Sequence, residues 1–259
     1  MNIRKHNRAA WNRLVKEGNR WTIPVSDEEI TNARQGQWEI YLTPSKPIPK
    51  DWITEITDLK VLCLASGGGQ QGPILAAAGA QVTILDNSPE QLGQDLSVAE
   101  RDALTLDTVE GDMQDLSVFN DESFGMIINP VSNCFVPDVG KVWAETFRVL
   151  RGRGELLAGF INPVDYAFDA DLERKGIYQL KYSLPYSDLT SIAEEERVLR
   201  YGETAPLEFG HTLEDQIGGQ LKVGFAIIGF YEDHRTDEKI GEYLPSFIAT
   251  RAKKNFIES

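Results

Sequence analysis

The sequence predicts a doubly wound α/β fold, and three observations carry the prediction. Val61-Leu62-Cys63-Leu64 is a short, wholly apolar run; a glycine cluster follows, then the helical stretch Ile74-Leu75-Ala76-Ala77-Ala78 and a second apolar run, Val82-Thr83-Ile84-Leu85. Strand, helix and strand within about 25 residues make a βαβ unit, and strands without polar alternation are covered on both faces, as parallel strands are. The same alternation continues as far as Phe160, which is the sign of an open sheet with helices on both sides. At the end of the chain the rhythm changes. Phe225-Ala226-Ile227-Ile228-Gly229-Phe230-Tyr231 and Phe247-Ile248-Ala249-Thr250-Arg251-Ala252 are two strands with little helical pattern between them, expected as an antiparallel pair at the sheet edge.

Taken in order, residues 1–55 read as an N-terminal helical cap. One helix is expected around Trp11, Leu14 and Val15, and a second after Ser26, where Ser26-Asp27-Glu28-Glu29 has the form of a capping box. Three prolines in Thr43-Pro44-Ser45-Lys46-Pro47-Ile48-Pro49 make an extended connector. Residues 56–259 form the second unit. After the first βαβ come a helix from Pro89, with Ser88 as N-cap and Gln91 completing its capping box, a short strand near Thr108-Val109 and a strand at Met126-Ile127-Ile128. A helix across Val142 to Leu150 and a strand over Glu155 to Phe160 follow. Between that strand and the final pair, Pro163 to Val223 is about 60 residues, longer than ordinary connections and expected to be an inserted cap or lid.

Composition narrows the function. The chain has 259 residues, 41% hydrophobic and 25% charged, and 26 Lys and Arg against 40 Asp and Glu leave a net charge of −14. Such a surface repels a phosphate backbone, so a small molecule is expected as partner rather than nucleic acid. No apolar stretch approaches the roughly 20 residues of a membrane span, and the basic opening Met1 to Arg8 leads into no signal-peptide core, so a cytoplasmic location is expected. Cys63 and Cys134 stand in apolar contexts without CxxC spacing, and His6, His211 and His234 are scattered; neither a disulfide framework nor a metal is expected.

Gly67-Gly68-Gly69-Gln70-Gln71-Gly72 follows the first strand and opens a helix. Glycines there let the backbone turn and approach a ligand, while the helix start offers free N–H groups. Literally this is GxGxxG, and Asp86 closes the second strand where a ribose-binding acid belongs, so a Rossmann-like nucleotide site is one reading and a ligand-free tight turn another. Because Ser88 already explains the helix cap, Asp86 is left for a ligand.

With its flanks included, the sequence resembles the class I S-adenosylmethionine-dependent methyltransferases. Val61 to Gly69, Val82 to Pro89, Gly111-Asp112-Met113 and Arg148 to Leu157 look like four blocks of that family in order, over roughly residues 56 to 162. The resemblance implies a seven-stranded, mostly parallel sheet with an antiparallel C-terminal strand, and S-adenosylmethionine as cofactor. It also implies that the loop at Ala65, Ser66, Gly67 and Gly69 passes beneath the methionine part, that Asp86, with Asn87 beside it, binds the ribose, that Asp112 and Met113 hold the adenine, and that Asn129 to Asn133 face the methyl group. The chain departs from the family pattern at Cys63, where an acid is usual, at Ala65, where a glycine is usual, and at Gly125, where an aspartate is usual. Ser66, Gln70 and Gln71 are the neutral groups that would compensate.

Methyl transfer from a sulfonium needs chiefly in-line positioning in a water-poor pocket, so a catalytic triad is not required. Trp11, Trp21, Trp38 and Tyr41 would either roof the site or pack the N-terminal helices. Within the insertion, Tyr186, Glu208 and His211 are the candidate acid or base residues, with Asn162 and Tyr166 just after the fifth strand, while Glu194-Glu195-Glu196 reads as a solvated face. The expected function is transfer of a methyl group to an O, N or C nucleophile of a small molecule, with the N-terminal region and the insertion forming the acceptor pocket. Two alternatives stand: an NAD-dependent oxidoreductase, from the literal GxGxxG, and a non-catalytic S-adenosylmethionine-binding protein, from the departures.

Overall fold

The computed structural model describes residues 1–255, so the last residues of the second expected unit, 256–259, lie outside the described residues. Two helices, α1 (Ile3–Lys16) and α2 (Asp27–Arg34), precede the sheet. The α/β part runs β1 (Lys60–Leu64), α3 (Gln71–Ala77), β2 (Gln81–Asp86), α4 (Pro89–Asp102), β3 (Leu106–Glu110), β4 (Phe124–Asn129), α5 (Val139–Val149) and β5 (Leu150–Ile161). Short elements follow: α6 (Ala170–Glu173), β6 (Tyr186–Ser187), α7 (Glu194–Tyr201), β7 (Phe209–Gly210) and α8 (Gly219–Lys222). The chain then closes with β8 (Phe225–Asp233) and β9 (Phe247–Lys254).

Seven strands form one sheet in the order β3-β2-β1-β4-β5-β9-β8. β1 pairs in parallel with β2 and β4, and β9 pairs antiparallel with both β5 and β8. The expected antiparallel pair is therefore present, but its last strand lies inside the sheet and β8 forms the edge. Strand order reverses between β1 and β4, which places a ligand crevice at the carboxyl ends of these strands.

Period two within β1 divides the core. Val61 and Cys63 enter one apolar layer with Leu75, Ile84, Ile128 and the N-terminal Ile40 and Leu42; Leu62 and Leu64 enter the other with Ile127, Trp143 and Leu156. Burial of each such branched side chain is worth about 1.5–3 kcal/mol, so the alternation that looked absent in the sequence is a choice between two equally apolar faces. Two boundaries differ from expectation. α5 begins at Val139 because Asp138 accepts the Lys141 N–H as its cap, and β5 begins at Leu150, where it already pairs with Phe124.

The N-terminal segment lies over the carboxyl ends of the strands. α1 packs on α4, and the Ser26 capping box forms as read, with Glu29 accepting from the Ser26 backbone N–H. The Leu42 carbonyl accepts from Val131 N–H just beyond β4. Asn7, buried on α1, donates to the carbonyls of Phe135 and Leu207 and accepts from Leu207 N–H, which ties the first helix to the segment after β5. That segment is folded rather than looped: β6 and β7 form a two-stranded ladder, and Glu214–Gly218 makes a turn of π-helix before α8. In the acidic run Glu194 and Glu195 are exposed as expected, but Glu196 is half-buried and pairs with Lys181 and Arg200. Among the described residues no helix is long and apolar enough to cross a membrane.

Candidate active site

The glycine loop is held from below by two carboxylates. Asp86, at the end of β2, accepts from Gly67 N–H through Oδ2 (3.0 Å) and from Ser88 N–H through Oδ1 (2.8 Å). Asp95, in the middle of α4 and fully buried, accepts from Gly68 N–H and Gly69 N–H, each at 3.0 Å. Gly68 and Gly69 have φ of +112° and +75°, open to glycine without strain. Ala65 holds φ of +47° where the family pattern has a glycine, so the loop keeps its left-handed turn at the cost of Cβ strain. At Gly72 a β-carbon would meet Ile84 Cδ1 at 2.4 Å, so this glycine serves the close packing of α3 on β2.

These contacts remove the basis of the dinucleotide reading. The three loop N–H groups that would cradle a pyrophosphate are already engaged by the side chains of Asp86 and Asp95. The capping box read at Ser88 is only half formed. Ser88 Oγ accepts from Gln91 N–H, but Ser88 N–H goes to Asp86, so the Gln91 side chain is released and its Oε1 is buried without a partner.

Above the loop lies a cavity of about 1900 Å³, larger than the ~300–1,000 Å³ of an ordinary small-ligand pocket. Of the residues singled out in the sequence, Ala65, Ser66, Gly67, Asp86, Asn87, Asp112, Met113 and Glu208 line it. Trp11, Trp21, Trp38 and Tyr41 also line it, so all four aromatics face this space besides packing the cap; Trp11 meets Phe135 edge to face at 5.2 Å. Asn87 exchanges hydrogen bonds with Arg4, Nδ2 donating to the Arg4 carbonyl and Oδ1 accepting from Arg4 Nε, so α1 is latched to the end of β2.

Five predicted residues do not line the cavity. Gly69 turns under the loop toward Pro24 and Asp95. Asn129 is fully buried, donating to the Leu64 carbonyl and Ser132 Oγ, and thereby ties β4 to the end of β1. Asn133, equally buried, donates to Gln216 Oε1 on the π-helical turn. Tyr186 donates to Asp188 and stacks on Tyr166. His211 is buried with Nε2 against the carbonyls of Asn133 and Val136, so that nitrogen carries a proton and acts as a structural donor. Burial also lowers the His211 pKa. The 163–223 segment was expected to wall the pocket, but Glu208 is its only lining residue. The other walls come from the N-terminal segment, from the segment after β4, including Pro130, Val131 and Ser132, and from His234 to Asp237 between β8 and β9.

The departures from the family pattern have local causes. Cys63 is fully buried in the apolar layer, and burial pushes its thiol pKa up. At Gly125 a β-carbon would lie 2.6 Å from Leu59 Cδ1 and 3.2 Å from the Arg151 guanidinium carbon, so an aspartate there would require both side chains to shift. Gln70 and Gln71 line the cavity and also hold the N-terminal segment: Gln70 donates to the Ile23 carbonyl, and Gln71 accepts from Tyr41 N–H. Ser66 Oγ is left buried, in the cavity wall, without a partner.

Several residues at the site were not singled out in the sequence. Asp95 stands on the buried stripe of α4 with Leu92, Val98 and Ala99; an acid at the apolar i, i+3, i+4 spacing was the available signal. Gln114 and Arg235 line the cavity and carried no sequence signal, and Gln91 and Cys134, read only as a helix-cap partner and an apolar-context thiol, line it too. Arg235 pairs with Asp165 at 3.1 Å and lies over the Phe247 ring. Burial raises the Asp165 carboxyl to about 6, with Arg235 pulling it back. Glu208 is also raised by burial, against the Tyr166 hydroxyl that donates to its Oε2 at 2.9 Å. Among the described residues no group of His, Cys, Asp and Glu gathers to hold a metal.

The polar inventory fits an adenosyl cofactor with an amino-acid tail better than a phosphate-bearing one. Asp86 keeps acceptor capacity beyond its two N–H partners, Ser66 Oγ and Gln91 Oε1 await partners, and Gly67 leaves a cradle that a β-carbon would fill against Gln91 and Asp86. The comparisons agree. A methyltransferase-domain family model matches residues 62–158. The uncharacterised methyltransferase YbaJ of Bacillus subtilis (strain 168) is 51% identical over 249 residues, 96% of this chain and 97% of that protein. Among solved structures, an S-adenosylmethionine-dependent methyltransferase from Listeria monocytogenes matches with a TM-score of 0.59 at 18% identity, over 80% of this chain and 96% of the other. The 1,6-didemethyltoxoflavin N1-methyltransferase of Burkholderia thailandensis, solved with 1,6-didemethyltoxoflavin and S-adenosylhomocysteine, matches with a TM-score of 0.60 at 13% identity, over 97% and 88%. Fold and site thus define a Rossmann-like nucleoside-binding transferase. The chain belongs to the class I S-adenosylmethionine-dependent methyltransferases, with S-adenosylmethionine as cofactor, and the oxidoreductase reading is withdrawn.

Proposed function

We propose that this methyltransferase acts on a small-molecule acceptor with an O, N or C nucleophile, bound beside the cofactor in the cavity above the glycine loop, and that Glu208 takes the proton the acceptor releases. Asp86 and Asn87 would hold the ribose, Asp112 and Met113 the adenine, and Ser66, Gly67 and Gln91 the methionine part. Bound there, S-adenosylmethionine supplies an electrophilic methyl group on a sulfonium, so that holding the acceptor in line provides most of the rate. The aromatic walls Trp11, Trp38 and Tyr41 exclude water and present π-faces suited to a cation.

The observation that carries the proposal is the position of Glu208, a half-buried carboxylate in the wall of the same cavity as Asp86. Tyr166 fixes Oε2, and among the described residues Oε1 has no protein partner. Burial raises its proton affinity, which improves it as a base. His211 and Tyr186 are assigned structural roles, because their polar atoms are turned to Asn133, Val136 and Asp188. A small acceptor is supported by a cavity lined on one side by the N-terminal segment and by the Burkholderia enzyme, whose bound acceptor is a small molecule and whose fold spans 97% of this chain.

The test is transfer of labelled methyl from S-adenosylmethionine to a panel of phenols, amines and nitrogen heterocycles by wild type and Glu208→Gln. Transfer should fall about 100-fold or more in the variant, the usual scale of a lost general base, while S-adenosylhomocysteine binds both proteins equally. Equal transfer by the two proteins removes Glu208 from the chemistry, and labelling of protein acceptors alone removes the small-molecule assignment.

A further inference from the structure

Asp95 is a carboxylate whose burial needs a reason. It sits on α4 with 0% exposure, among Leu92, Val98 and Ala99, and no lysine or arginine pairs with it among the described residues. Removing a carboxylate from water without a counter-ion is strongly unfavourable unless hydrogen bonds replace the water. Here they do, and both come from one place: consecutive N–H groups of Gly68 and Gly69, one to each oxygen. Gly67 N–H, one residue earlier, is taken by Asp86 from β2. Val61 to Leu64 of β1 carry no acid, so the negative charge under the loop comes from β2 and α4.

We infer that Asp95 is a positioning residue of the cofactor site, which holds Gly68 and Gly69 in their left-handed conformations and so sets the shape of the loop wall against which the methionine part of the cofactor lies. The inference rests on the cofactor and not on the acceptor or on Glu208. Without the Asp95 acceptors, the Gly69 N–H loses its partner, the Gly68 N–H keeps only the Gln91 carbonyl at 3.1 Å, and the loop turns to find others. Gly67, whose place for a β-carbon is 2.8 Å from Gln91 Cβ and 3.1 Å from Asp86 Oδ2, then shifts with it and the cavity floor moves.

The experiment combines amide exchange with calorimetry. In ligand-free wild type, Gly68 and Gly69 amides should exchange slowly despite lying in a loop. In Asp95→Asn, whose amide offers one acceptor where the carboxylate offered two, at least one of these amides should exchange tenfold faster or more while those of β1 and β2 keep their rates. The S-adenosylhomocysteine dissociation constant should rise tenfold or more. Fast exchange of both glycine amides in wild type overturns the proposal, and that measurement decides it alone if the variant does not fold. So does a folded Asp95→Asn that binds S-adenosylhomocysteine within twofold of wild type. Failure of the Glu208 assignment would leave all these quantities unchanged.

Discussion

Leu42 and Gly159 are in backbone contact: a β-carbon at residue 159 would lie 2.0 Å from the Leu42 carbonyl oxygen and 2.7 Å from its carbon. The glycine, near the end of β5, lets the segment after α2 cross the sheet closely enough for the same carbonyl to accept Val131 N–H. The roof over the cavity depends on that approach.

Gly159→Ala should therefore cost about 3 kcal/mol or more, the upper range for an inserted methyl that meets backbone rather than a movable side chain. Urea unfolding measures the loss. Limited proteolysis should show faster cleavage within residues 43–49 at native conditions, since the clash is relieved most cheaply by lifting that segment. Unchanged stability and cleavage would mean that the contact does not hold the cap.

Asp86→Asn tests the cofactor floor with minimal change of shape. One oxygen becomes an N–H2 group facing either Gly67 N–H or Ser88 N–H, and acceptor capacity for the ribose falls. Titration calorimetry should show S-adenosylhomocysteine binding weakened tenfold or more, about 1.4 kcal/mol. NADH should give no fluorescence enhancement with either protein. Binding of S-adenosylhomocysteine within twofold of wild type would take the ribose away from Asp86.

His211 makes the fold sensitive to acid. Its pKa in the folded chain is below the ordinary 6.5, because burial disfavours the charged ring. The folded state therefore binds fewer protons than the unfolded state, and the stability present above about pH 6.5 is lost as pH falls toward the folded pKa. Asp86, Glu208 and Asp165 are raised and act in the opposite sense, so the comparison must be with a variant. In His211→Gln the side chain can still donate to Asn133 and Val136 but does not titrate. The thermal midpoint should fall further for wild type than for the variant between pH 7.5 and pH 5.5; parallel curves would exclude the histidine as the cause.

Much of the site was legible where residue type and chain position coincide. Asp86 ends a strand and lies two residues before a cap, Gly67 follows β1, and both could be placed from local pattern alone. Asn129 and Asn133 occupy equally suggestive positions, yet their side chains turn inward to Leu64, Ser132 and Gln216. A polar residue at a strand end satisfies either a ligand or the neighbouring backbone, and sequence pattern does not distinguish the two. The half-formed capping box at Ser88 has the same origin: Asp86 reached the N–H first, which freed Gln91 for the cavity.

The sequence by itself determined the order of strands and helices, the loop and the acid beneath it, because these follow from apolar periodicity and glycine placement within about 25 residues of chain. Tertiary structure alone decided what closes the cavity. Glu208 rather than His211 entered the wall, Asp95 rather than a residue at position 63 put a carboxyl group under the loop, and the N-terminal segment with His234 to Asp237 supplied most of the roof in place of the 163–223 segment. Each of these outcomes depends on which of several polar groups, remote in sequence, finds a buried N–H or carbonyl to satisfy, and that competition is settled only when the elements pack.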